Sequence, residues 1–182
     1  MPVQTWLDLM LLVLVVAAAV TDLAIRKIPN LLLLAAWCGV LGLHLSSATP
    51  TGATGSALAG AAIGFGLFIP LYALRGMAAG DVKLMATVGL FLGPAQTLHA
   101  CVLAWCAGGV MALLMILATR RWQLAWANLH RLLVALLPLP WQALLRVGPA
   151  PDGAGLKSAG SMPYGLAIAL STLWLLGQRY HG

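Results

Sequence analysis

Two aspartates stand at the edges of apolar sequence. Asp22 closes the run VVAAAVTD, and Asp81 lies in GMAAGDVKLM, residues 76 to 85, at the head of another apolar stretch. With Asp8 and Asp152 they make up the whole acidic inventory of a 182-residue chain that contains no glutamate. A carboxylate in lipid costs about 2.5 to 3.5 kcal/mol at a helix centre and less near an end, so each placement needs a reason. Ordinary reasons exist. Asp22 could pair with Arg26 one helical turn later, and Asp81, following Gly80, could be a helix N-cap favoured by the dipole and by free backbone N–H groups. Asp8 near a helix start and Asp152 in a loop need nothing more. Taken together, however, Asp22 and Asp81 suggest acid and base work on water, because two carboxylates that share a site can hold different protonation states.

The elements that must position them are membrane helices. The chain is 62% hydrophobic and 8% charged, against roughly 25% charged residues in an ordinary soluble domain, and a helix needs about 20 apolar residues to cross a hydrocarbon core. Such runs occupy residues 5–22, 31–46 and 56–74. The apolar stretch from Val82 to Ala118 is too long for one helix and carries GPAQT (93–97) in its middle, so it divides into a fourth and a fifth span. Residues 162–177 form the last. The expected fold is all-α: a single polytopic membrane domain, residues 1–182, with six transmembrane helices. The connection 119–161 lies on the cytoplasmic side. Its first part has apolar residues broken by His130, Arg131, Pro138 and Pro140, which predicts an interfacial amphipathic segment before the last helix rather than a seventh span.

Two spans separate Asp22 from Asp81, so the chain crosses and returns, and parity puts both carboxylates on one membrane face. Charge says which face. With the amino terminus outside, nine of the ten lysines and arginines fall in cytoplasmic segments and only Arg179 lies opposite. The net charge of +6 then serves orientation and anionic lipid, with no nucleic acid implied. The first run has no Lys or Arg ahead of it and carries Asp8, so it reads as an uncleaved helix and not as a secretory signal. The fourth span, Val82 to Thr97, reaches only about 24 Å at 1.5 Å per residue, short of a core of roughly 30 Å. Asp81 is therefore expected below the membrane surface, beside a covered or watery cavity. Gly76 and Gly80 would give the loop freedom for positive φ. The GxxxG pairs Gly60/Gly64 and Gly89/Gly93 would let helices approach closely.

Other chemistries find little support. There is no HExxH, the histidines His44, His99, His130 and His181 are scattered, and no GxSxG serine occurs. Cys38, Cys101 and Cys106 form no CxxC pair and read as packing residues. No metal and no cofactor is implied. A proton-coupled transport subunit would also use intramembrane carboxylates, though with acids at or beyond the midplane. A noncatalytic scaffold is the remaining alternative.

The two aspartate segments also resemble a known family. TDLAIRKIPN (21–30) resembles the first aspartate motif of the bacterial type IV prepilin peptidases, AAGDVKLM (78–85) resembles their GxGD motif, and SMPYGLAIA (161–169) looks like the segment that opens their last helix. The resemblance implies a membrane aspartic protease of the cytoplasmic (inner) membrane. Such an enzyme cuts the basic leader from pilin precursors at the cytoplasmic face, with Asp22 and Asp81 as the catalytic pair. Gly80, Lys83 and Ala78 would form the active-site loop, and Pro29, Asn30, Pro163, Tyr164 and Gly165 are candidates to contact substrate. Pro29 and Pro163 would preorganise the first turns of their helices. Arg26, Lys27 and Lys83 would repel the basic leader, bind an acidic side chain after the cut, or serve topology alone. The size resembles the short branch that serves tight-adherence (Tad or Flp) pili, in which peptidase activity is expected without the N-methyltransferase. The implied partners are a Flp-type prepilin, membrane lipid and the pilus assembly machinery. The sequence departs from the family at Ala78, where the motif has its first glycine. A position requiring positive φ would strain alanine by about 1 to 2 kcal/mol.

Overall fold

The computed structural model describes residues 3–46, 49–73, 76–119 and 163–181. They form five helices and, among the described residues, no strand: α1 Val3–Ile25, α2 Asn30–Leu45, α3 Pro50–Ala73, α4 Ala79–Thr119 and α5 Tyr164–His181. The interfacial segment expected within 119–161 lies outside the described residues beyond Thr119. The chain divides into two units, 1–109 with 163–182, and 110–162. The described part of the second is the end of α4, with exposed apolar residues such as Val110, Leu113 and Leu114. All the candidate site residues belong to the first.

Three helices are long and apolar enough to cross a membrane: Val3–Ile25, Pro50–Ala73 and Ala79–Ala118. Asn30–Leu45 is apolar but shorter. The chain is thus a membrane protein by its helices, though fewer than six among the described residues meet that measure. Part of the difference lies in α4. Its backbone leaves helical geometry at Gly93, with φ 72° and ψ 177°, a region costly for any residue with a Cβ. Pro94 follows, its missing N–H harmless at the first position of a new helix. The GPAQT segment therefore divides α4 into arms 79–92 and 94–119. These arms run in opposite directions. Gln96 bonds Arg179 near the end of α5, whereas Gly108 abuts the hydroxyl of Tyr164 at its start.

α1 supplies the framework. Its buried residues Leu7, Leu11, Leu14, Val15, Ala18 and Ala19 recur every three to four positions, one face of a 3.6-residue helix. Asp8 lies beside Leu7 at the start of this stripe and Asp22 ends it, both buried. α5 packs antiparallel along it, bonded at both ends. Gly165 N–H donates to Asp22 Oδ2 at 2.9 Å, and Arg179 pairs with Asp8 at 2.6 Å. Asp8 also accepts from Tyr180 at 3.0 Å and from Gln4 at 3.1 Å. Arg179, expected to stand alone, thus has a buried partner, and Asp8 is more than an incidental charge at a helix start.

The glycine pairs do bring helices together. A Cβ on Gly60 would strike the carbonyl oxygen of Gly89, one on Gly89 would strike that of Gly60, and one on Gly64 would lie 2.6 Å from Met85 O. α3 and the first arm of α4 are therefore in backbone contact. The cysteines divide: Cys101 is buried, while Cys38 and Cys106 lie on exposed faces, so packing accounts for the first alone.

Candidate active site

Asp22 is the last residue of the α1 stripe, one turn from the helix end. The chain leaves α1 through Arg26, whose φ of 54° makes it a left-handed C-terminal cap, a position glycine usually fills. Its N–H donates to Asp22 O at 3.0 Å. Pro29, extended at φ −63° and ψ 127°, then caps α2 from outside instead of occupying its first turn, as the sequence suggested. Asp22 is 7% exposed. At the carbonyl end of its own helix a carboxylate is poorly placed, and the structure supplies what the sequence did not reveal. The amino end of α5 points its Gly165 amide at the Asp22 carboxylate, so a second helix offers the donor that α1 cannot.

Asp81 is held differently. It is the third residue of α4, not its cap, and its Oδ2 reaches back to accept the Ala78 N–H at 3.1 Å. The Asp81 N–H donates to Ala78 O at 3.1 Å. This is the carboxylate half of a capping box, with Ala78 in the cap position. Asp81 is 4% exposed. Arg26 is the only non-glycine residue of positive φ among those described, and Gly93 the only such glycine. Ala78 therefore carries no left-handed strain, and neither Gly76 nor Gly80 uses the freedom expected of it. A Cβ on Gly80 would make ordinary contact with Ile28, at 3.7 Å.

The two aspartates line one cavity of about 240 Å³, walled also by Arg26, Lys27, Ile28, Asn30, Ala78, Gly80 and Lys83. At roughly 30 Å³ per water, it has room for several waters or a short stretch of extended chain. Lys83 Nζ donates to Asn30 Oδ1 at 3.2 Å, joining the start of α2 to the second turn of α4. Of the five candidate substrate contacts, Asn30 lies in this wall. Pro29, Pro163, Tyr164 and Gly165 do not. Gly165 instead holds Asp22, and Tyr164 packs edge-on against Phe68 with ring centroids 6.3 Å apart. No group of three or more His, Cys, Asp or Glu among the described residues is placed to hold a metal ion.

Residues 9–113 match the model of the type IV leader peptidase family. The chain belongs to that family. The matched region contains both aspartates and every residue of the cavity wall, while the α5 residues that complete Asp22's surroundings lie beyond it. No curated protein and no solved structure matches the chain. Leader peptidases are proteases, and the family implies a prepilin-type substrate in general.

Proposed function

We propose that this family member is an aspartic endopeptidase that removes the leader of a Flp-type prepilin at the cytoplasmic face of the bacterial inner membrane, using Asp22 and Asp81. The observation that carries this reading is that both carboxylates are buried on one cavity, each with one oxygen fixed by a backbone amide. The second oxygen of each would serve water and substrate. One carboxylate takes a proton from water as the oxygen adds to the scissile carbonyl, and the other, protonated, donates a hydrogen bond to that carbonyl. Collapse of the resulting diol breaks the C–N bond, and the leaving amine takes up the proton. The products are the leader's carboxylic acid and the pilin's new amino terminus.

The proposed topology has six spans, with the two arms of α4 as the fourth and fifth, the amino terminus outside and the cavity facing the cytoplasm. The positive-inside distribution of Arg26, Lys27 and Lys83 supports it. Peptidase activity without N-methylation is part of the proposal. A proton path across the membrane gains no support from Asp8, which is tied into a partly buried ion pair with Arg179.

The test is to co-express an epitope-tagged prepilin with wild type, Asp22→Asn or Asp81→Asn and follow the precursor's size. Wild type should convert it and both variants should not; processing that survives either substitution removes the dyad. The mass of the mature pilin's amino terminus should correspond to an unmethylated residue.

A further inference from the structure

A second cavity, of about 800 Å³, lies along α2, α3 and the first arm of α4. Its sides are large apolar side chains, including Leu34 and Trp37 from α2 and Phe65 from α3, while Ala61, Ala62 and Ala86 keep it deep. The Trp37 indole N–H is already bound to Thr87 Oγ1 at 3.0 Å, and the Thr87 hydroxyl donates to Lys83 O at 2.8 Å. The groove therefore offers an occupant apolar contact. Asn30 and Lys83, bonded to each other, line both this groove and the aspartate cavity. They form a threshold common to the two.

We propose that the groove seats the apolar helix of the substrate, whose amino-terminal side crosses the Asn30–Lys83 threshold as extended chain to reach Asp22 and Asp81. The inference rests on the peptidase reading and adds where the membrane part of the substrate sits. Size supports a helix. A helix about 10 Å across with side chains fills about 800 Å³ in two turns, and the groove runs for roughly 10 Å from Asn30 to Trp37 at 1.5 Å per residue. Continuity supports the substrate in particular, since the groove shares its Asn30–Lys83 wall with the aspartate cavity and lipid has no need of that connection. The chemistry requires the change of conformation at the threshold. A carbonyl inside a helix is already hydrogen-bonded within it, so the peptide to be cut must leave the helix before a carboxylate and water can reach it. The alanine floor then sets a preference for bulky apolar side chains in the first two turns after the cut.

Two positions separate the groove from lipid-facing surface. Ala62 is exposed in the groove, and Val13, 59% exposed on α1, lies outside it. A photo-crosslinking benzoylphenylalanine is placed at each in turn in the Asp22→Asn background, with the tagged prepilin that the wild type cleaves as probe. An enzyme–prepilin adduct from position 62 and none from 13 is expected. Adducts from both positions, from 13 alone, or from position 62 to lipid alone would overturn the groove. In otherwise wild-type protein, Ala62→Trp should raise KM for the membrane-embedded prepilin at least tenfold with kcat little changed, and Val13→Trp should change neither. An unchanged KM in Ala62→Trp also overturns it. Failure of the peptidase reading looks different: wild type leaves the prepilin uncut, or Asp22→Asn still cuts it.

Discussion

Gly165→Ala is the sharpest probe of how Asp22 is held. A Cβ built on Gly165 would lie 2.9 Å from Asp22 Oδ2, 3.1 Å from its Cβ and 3.2 Å from its Cγ. Comfortable packing of such atoms begins near 3.5 Å, so the carboxylate or the start of α5 must yield by roughly half an ångström. The Gly165 N–H···Oδ2 bond of 2.9 Å would then stretch to the limit of a useful hydrogen bond. A hydrogen bond to a charged group is worth about 1.5 to 3 kcal/mol, and each 1.36 kcal/mol is tenfold in rate. The expected loss in kcat/KM is therefore about 10- to 150-fold, mostly in kcat, since it is the catalytic group that moves. Initial rates of prepilin cleavage by purified protein in liposomes measure it. Gly177→Ala is the matched control, on the same helix with nothing within 4 Å of the added methyl, and should behave as wild type. If Gly165→Ala kept its rate within twofold of the control, the assignment of that amide to Asp22 would be wrong.

Ala78→Gly should leave cleavage within about twofold, because Ala78 has no positive φ to relieve and glycine's advantage over alanine at a helix cap, about 1 kcal/mol, adds to stability and not to the chemical step; a sharp rise would mean that the alanine had been limiting. Gly93→Ala places a side chain at φ 72° and 3.1 Å from Ser56 Oγ, which should cost at least about 1 to 2 kcal/mol, seen as a lower unfolding temperature in detergent, and an unchanged temperature would contradict the break in α4. The rate against pH should be bell-shaped, as a pair of carboxylates with one shared proton requires, with both limbs belonging to the pair. A rate flat through the acidic range would exclude the dyad.

That the two aspartates meet on one cavity was legible because its cues are residue types and counts: scarce carboxylates at the ends of apolar runs, and two apolar runs between them. GPAQT announced the break in α4, since glycine and proline limit backbone geometry by themselves, and the GxxxG spacing of Gly60 and Gly64 announced the close approach of α4. The partner of Asp22 was not legible. It is a backbone amide, which every residue but proline possesses, and it comes from 143 positions away. The Asp8–Arg179 pair spans 171 positions, so no local pattern marks it. Glycine's wide conformational range made Gly76 and Gly80 look like positive-φ positions. That range permits such a backbone without requiring it, and the third-position role of Asp81 shows the loop entering the helix with ordinary geometry.

Asp8 and Asp22 are 14 residues apart on α1, as are Gly165 and Arg179 on α5. At 1.5 Å per residue the two fastenings stand about 21 Å apart, whereas an average hydrocarbon core is about 30 Å thick. Both fastenings lie inside the 23 residues of α1, a length of about 34 Å, so the two aspartates are held between helices short of its ends. α5 is clipped to α1 at two points, and sliding one helix along the other would have to break the amide bond to Asp22 and the ion pair to Asp8 together.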